Sequence, residues 1–234
     1  MSATTTYPFA ENKYTLYSYA GCPFAQRTLR ALEVAKVPHE VVEIDLKNKP
    51  DWYHLVNPQL KVPALRTPSG DILIESLVTS EFVADEFPES QLVSKDAVER
   101  AQLRLFVEIF SSRVIPNIYG TLRAATAEEQ EAKKQALLDG IREVSKELER
   151  QWERPSGKGG PLWYGDRFSL AEVNTVSFVN QLVAPEHYRG FKVPESDEFN
   201  AFHRWFKEAS ERPEYTKFSQ DDQTIINNLQ KFVA

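Results

Sequence analysis

Cysteine is nearly missing from this sequence. Cys22 is the only one in 234 residues. A lone thiol closes no internal disulfide, which points to a reducing, cytoplasmic setting rather than a cross-braced secreted one. Positive charge is also short, with 28 Lys and Arg against 34 Asp and Glu and a net charge of −6. No basic excess exists to neutralise phosphates, so nucleic acid is not an expected partner. No stretch approaches the ~18 consecutive apolar residues of a membrane helix. The N-terminal MSATTTYPFA lacks a basic patch followed by an apolar core, so it does not read as a secretory signal. The four histidines, His39, His54, His187 and His203, show no ligand spacing among themselves or with Cys22, and no metal is expected. SGKGGP (156–161) lacks the spacing of a phosphate loop and follows no strand. Hydrophobic residues at 41% and charged residues at 26% are enough for a substantial core, in one large domain or two small ones.

The first 90 residues alternate strand and helix signals. KYTLYS (13–18) is a short strand pattern that stops at Ala20-Gly21. A helix follows, with Pro23 at its first position, Leu29, Leu32 and Ala35 on one face, and Val37-Pro38 at its end. HEVVEIDL (39–46) reads as a second strand. Strand, helix and strand within about 30 residues make a βαβ unit with parallel strands. KPDWYHLVNP (49–58) is a short helix or irregular segment. VPALRT (62–67) and DILIES (71–76) are strands joined by the turn Pro68-Ser69-Gly70. Ser76 can cap a helix across 77–87, with Leu77, Ser80, Phe82 and Val83 inward, closed by Pro88. The order βαβ, then ββα, is that of a thioredoxin-like domain over residues 1–90.

FPESQLVSKD (87–96) reads as a linker, after which strand signals vanish. Residues 97–119 place Ala101, Leu105 and Ile109 on one stripe, with Phe106 and Phe110 beside it. Residues 127–152 form a charged amphipathic helix with Leu137, Ile141, Val144 and Leu148 inward. RPSGKGGPL (154–162) is a loop. In RFSLAEV (167–173), Ser169 and Glu172 have the spacing of a capping box, with Phe168 and Val173 as its hydrophobic staple. Residues 197–210 gather Phe199, Phe202, Trp205, Phe206 and Ala209 on one face. The expected class is α/β plus all-α, with an all-helical domain over 97–234.

Cys22 falls where the first strand gives way to the first helix. Unpaired backbone N–H groups and the helix dipole there favour thiolate over thiol. A free thiol of pKa ~8.5 is only a few per cent ionised at neutral pH. A fall of about two pH units would make most of it thiolate, equivalent to roughly 2.7 kcal/mol. Arg27, about one turn later, is placed to add to this. In Cys22-Pro23-Phe24-Ala25, alanine stands where a dithiol motif has its second cysteine. A mixed disulfide on Cys22 must therefore be cleared by an external thiol, as in a monothiol exchange enzyme. The alternative is a small buried hydrophobe.

Two further stretches bear on the choice. Val62-Pro63 precedes a strand. In thioredoxin-like domains the loop facing the active site holds a cis-proline, and the residue before it offers its backbone to a thiol ligand; a trans proline at a strand start is the alternative. Glu75-Ser76 stands at a helix start, where Ser76 is a simple cap or, with the helix N–H groups, a carboxylate holder, and Glu75 faces an amine. A ligand with a thiol, a carboxylate and an amine touches all three places, and glutathione is one.

YSYAGCPFAQRT, LKNKPDWYHLVNP, KVPAL and ILIES, in that order and followed by a helical half with a capping box at Ser169, resemble a glutathione transferase, most closely of the Omega class. The resemblance covers residues 13 to about 215. It implies a two-domain fold with glutathione on the thioredoxin-like domain. It implies that Cys22 forms a mixed disulfide with glutathione, that Phe24 lines the pocket, and that Lys49 approaches the glycyl carboxylate. Val62, before a cis Pro63, would pair with the cysteinyl moiety, and Glu75 and Ser76 would hold the γ-glutamyl end. The implied chemistry is thioltransfer, reduction of dehydroascorbate and removal of glutathione from S-phenacyl-type conjugates, with glutathione as co-substrate and no cofactor. A homodimer is implied too. So is a second-substrate site between the domains for a small hydrophobic or aromatic molecule, with Phe106, Phe110, Tyr119, Trp163 and Tyr215 as candidate liners or, alternatively, core residues. The long proline-rich N-terminal extension of some animal members is absent.

Two other functions compete: a carrier of hydrophobic or phenolic compounds with little turnover, and a non-enzymatic regulatory or assembly protein on the same scaffold. Cys22 discriminates, because a scaffold has no use for a thiol at a helix start.

Overall fold

The structure is a computed structural model that describes residues 6–234. The chain divides between Leu92 and Val93 into two compact units, inside the polar 87–96 stretch.

The first unit is built on a four-stranded sheet in the order β2-β1-β3-β4. The strands are β1 (Tyr14–Ser18), β2 (His39–Glu43), β3 (Ala64–Arg66) and β4 (Ile72–Ile74). β1 and β2 are parallel, as the βαβ spacing requires, and β3 pairs antiparallel with both β1 and β4. Three helices accompany them: α1 (Pro23–Val34), α2 (Tyr53–Val56) and α3 (Ser76–Glu86). β1 is central and buried throughout, whereas the edge strand β2 is partly exposed. β2 was expected to reach 46 but stops at Glu43. The Ile44 N–H still donates to the Ser18 carbonyl (2.7 Å), and Asp45 then turns the chain by accepting from the Lys47 N–H (2.8 Å). The β3–β4 turn runs through Gly70 at φ +101, a conformation that suits glycine.

Two helix readings need correction. α1 ends at Val34 rather than Val37-Pro38. Lys36 turns left-handed (φ 54), and the Val37 and Lys36 N–H groups cap the Leu32 and Glu33 carbonyls. Its inward side is wider than the expected Leu29, Leu32 and Ala35 stripe. Ala25, Gln26, Arg27, Thr28, Arg30, Ala31 and Leu32 are all buried, because α1 is packed against both β1 and α3. α3 buries Thr79, Ser80, Val83 and Ala84, while Leu77 and Phe82 are only half-buried. The α1–α3 seam is consequently polar, with the Thr28 and Thr79 hydroxyls 2.6 Å apart within it.

The second unit is helical: α4 (Ala97–Ile109), α5 (Ile115–Arg123), α6 (Ala127–Trp152), α7 (Leu170–Val179), α8 (Val183–Arg189), α9 (Asn200–Glu211), α10 (Pro213–Thr216) and α11 (Asp222–Leu229). The stripe expected on 97–119 is rotated. Leu103, Phe106, Val107 and Phe110 are buried at i, i+3, i+4 and i+7, and Ala101 and Leu105 face solvent. The helix is also not continuous. A π-type turn over Phe110–Val114 precedes Pro116, whose ring and missing N–H are incompatible with a regular ladder there. α6 buries Leu137, Ile141, Val144 and Leu148 as expected. It opens with a capping box, Thr126 and Glu129, not among the expected features.

α7 is buried on every side and forms the centre of this unit. Its Ser169–Glu172 capping box is present, flanked by buried Phe168 and Val173. Glu172 is fully buried and accepts four hydrogen bonds: from the Trp163 N–H (2.8 Å), the Ser169 N–H (2.9 Å), the Ser169 hydroxyl (2.7 Å) and Trp205 Nε1 (2.9 Å). That set satisfies a carboxylate which would otherwise be costly to bury.

Candidate functional site

The first unit carries a cleft of about 460 Å³. Cys22, Phe24, Lys49, Val62, Pro63, Glu75 and Ser76, all singled out from the sequence, line it together. Leu46, Asn57, Leu60 and Lys61 complete the lining and were not anticipated.

Each part is positioned by a local rule. β1 ends at Ser18 and α1 begins at Pro23, leaving Cys22 in extended conformation (φ −95, ψ 113) at the helix N-cap. Its N–H donates to the Tyr19 carbonyl (2.9 Å) and its carbonyl accepts from Gln26 (3.1 Å). The side chain is half-buried, against a core of Tyr17, Tyr53, Val56 and Val62.

Opposite, the Val62–Pro63 peptide bond is cis. The loop before it is fixed from beneath. The Tyr53 hydroxyl and the buried Asn57 amide both donate to the Lys61 carbonyl, at 2.8 and 2.7 Å. Asn57 and Tyr53 are thus the supports that sequence reasoning missed. Their types, a phenol and a polar amide on either side of the apolar Leu55-Val56 pair, were the available signal.

Ser76 is not the N-cap of α3 but its first residue, and Glu75 precedes it as the cap. Glu75 adopts φ 69, ψ 115, away from the left-handed helical well, so a non-glycine residue is held in a sparsely populated conformation at the cleft. Backbone N–H groups at the α3 start have no intrahelical acceptors and face the opening of the helix.

The phenols under the cleft are neutral donors. Burial, then Tyr7, pushes the Tyr17 hydroxyl up to about 12 despite the opposing Arg66, and it donates to the Pro8 carbonyl (2.8 Å). Burial, followed by Tyr17 and Cys22, raises that of Tyr53 as well. Lys49, Lys61 and Glu75 stand exposed at the rim.

The residues suggested for a second substrate lie in the helical unit. Phe106, Phe110, Trp163 and Tyr215 are buried. Phe106 packs tilted against Trp163 with ring centres 4.6 Å apart, and Tyr215 meets Phe206 at 6.0 Å. Tyr119 is half-buried, edge-on to Phe232 at 5.2 Å. Among the described residues there is no group of three or more His, Cys, Asp or Glu placed to hold a metal, and no helix long and apolar enough to cross a membrane.

Residues 16–91 match the family model for the glutathione S-transferase N-terminal domain. Glutathione S-transferase omega-1 of Mus musculus is 34% identical over 142 residues, 61% of this chain. That match spans only 59% of the mouse protein's length. The probable glutathione transferase omega-2 of Caenorhabditis briggsae is 31% identical over 209 residues, 88% of this chain and 81% of that protein. Among solved structures, glutathione transferase Omega 1C from Trametes versicolor superimposes with a TM-score of 0.75 at 30% identity, covering 94% of this chain and 96% of that one. With similarity to omega relatives sustained over almost the whole length, on a sheet whose cleft gathers the motif residues, the chain belongs to the glutathione transferase family and is Omega-like within it.

Proposed function

We propose that this chain is a glutathione-dependent thioltransferase that works through a Cys22–glutathione mixed disulfide. The observation that carries the reading is the gathering of Cys22, Val62–Pro63, Lys49 and Glu75–Ser76 around one cleft in a sequence with no second cysteine.

The Cys22 thiolate attacks the glutathionyl sulfur of a mixed disulfide. A bond forms between the two sulfurs, and the substrate leaves as a thiolate that takes a proton. A second glutathione, as thiolate, then attacks the glutathionyl sulfur on Cys22. Oxidised glutathione forms and the Cys22 thiolate is released. The substrate disulfide is reduced by two electrons, and glutathione supplies both. The α1 start stabilises the Cys22 thiolate both as nucleophile and as leaving group. Val62 offers its backbone to the cysteinyl part of glutathione, Lys49 its ammonium to the glycyl carboxylate, and Glu75 and Ser76 hold the γ-glutamyl end. Dehydroascorbate and S-phenacylglutathione-type conjugates are further substrates of the same thiol.

The test is Cys22→Ser. It should abolish thioltransferase turnover while leaving glutathione affinity within about threefold and the melting temperature close to wild type. Undiminished turnover in that variant would remove the mechanism. We also take the chain to be a homodimer. Val98 and Leu105, seven residues apart on one face of α4, are 62% and 52% exposed, and a second copy would cover them. Sedimentation equilibrium at micromolar concentration should give the dimer mass.

A further inference from the structure

Arg27 is the buried cation of the first unit that approaches the cleft. It stands on α1 one turn beyond Cys22, is 2% exposed, and its Nη1 lies 3.2 Å from Ser76 Oγ at the start of α3. Its guanidinium carbon sits 5.5 Å from the centre of the Phe24 ring, another lining residue. The neighbouring Thr28–Thr79 hydrogen bond (2.6 Å) fixes the two helices against each other one residue along the same seam.

The polarity of the Arg27–Ser76 contact is forced. A guanidinium has five donors, no acceptor and no accessible neutral form. Ser76 Oγ must therefore accept from Arg27. Its single hydrogen is then left to donate, and Ser76 lines the cleft. An ionised carboxylate is acceptor-only, so it matches a hydroxyl committed to donating. The Arg27 charge and the α3 N-terminus both favour that anion.

Resting on the thioltransferase reading, we propose that Arg27 is a positioning residue for specificity. Through Ser76 it sets the cleft to recognise the α-carboxylate of a γ-glutamyl group, and so to prefer glutathione disulfides over disulfides that lack that group. It acts through the Ser76 hydroxyl, which it holds as a donor, and through the positive charge it places behind that hydroxyl.

The experiment compares rates of Cys22 modification by oxidised glutathione and by the disulfide of cysteinylglycine, which lacks the γ-glutamyl residue. The variants are Arg27→Met, Arg27→Lys, Ser76→Ala and the double Arg27→Met/Ser76→Ala. Arg27→Met should slow oxidised glutathione about tenfold and change the cysteinylglycine disulfide less than twofold. Arg27→Lys should recover most of that loss. Adding Ser76→Ala to Arg27→Met should cost little more, as for residues acting in one chain. If Arg27→Met slows both disulfides alike, or neither, the inference is overturned. Should Arg27→Met not fold, the carboxylate is removed from the ligand instead. An α-carboxamide analogue of oxidised glutathione should react about tenfold more slowly than oxidised glutathione itself, and equal rates overturn the inference. Wild type showing no preference for oxidised glutathione over the cysteinylglycine disulfide also overturns the inference, whereas a Cys22 that neither disulfide modifies would overturn the functional reading beneath it.

Discussion

At the scale of single residues, the cleft is lined largely by side chains placed at junctions rather than in element interiors. Cys22 sits at a strand-to-helix junction and Ser76 at another, and both were legible because a strand pattern stops shortly before each and a helical run follows. Ser76→Ala should weaken glutathione binding about tenfold with little change in melting temperature, as calorimetric titration would show, because it removes one hydrogen bond to a charged group. Asn57 was not legible in the same way, and Arg27 was singled out only as a neighbour of the Cys22 thiolate, not for its contact with Ser76. Their roles depend on burial against Lys61 and Ser76, and in the Arg27 case across 49 residues of sequence. Tyr17 gives a pH prediction. Its phenol is raised from 10.0 to about 12 in the folded chain, so the folded state holds the proton more tightly than the unfolded one. That contribution is complete below pH ~10 and is lost as pH rises towards about 12; its full size is about 3 kcal/mol. Urea unfolding between pH 9 and 12 should show this decline, and Tyr17→Phe should flatten part of it.

At the scale of elements, helix faces and ends show where periodicity succeeds and where it slips. The α6 stripe was read correctly because four large aliphatics repeat at helical spacing through a charged sequence. On α4 two stripes compete, one through Ala101 and Leu105 and one through Leu103, Phe106, Val107 and Phe110. The second wins because it buries two aromatic rings. Glycine propensity alone misleads on α6. Gly140→Ala in mid-helix should gain about 1 kcal/mol, but a Cβ there would lie 2.9 Å from the Arg113 carbonyl oxygen in the π-type turn. That contact is with backbone, so the clash dominates, and Gly140→Ala should lower the melting temperature. Glu172→Ala should do so more severely. It leaves the Trp163, Ser169 and Trp205 donors without their buried acceptor, a loss of about 3–5 kcal/mol, measurable by denaturant titration.

At the scale of the whole molecule, the scarcity of cysteine decides the kind of redox chemistry. A chain with one thiol has no internal route to resolve a mixed disulfide, so on the proposed thioltransferase reading the disulfide is stoichiometric and external thiol restores Cys22. The most direct measurement is mass spectrometry of the intact chain after exposure to oxidised glutathione, followed by peptide mapping and a pH series of the modification rate. The account predicts one glutathionyl group per chain, on Cys22, removed by reduced glutathione, with a rate that rises to a plateau well below the ordinary thiol value of about 8.5. A chain that stays unmodified, or a Cys22 whose rate is still climbing through pH 8.5 like a free thiol in solution, would contradict it.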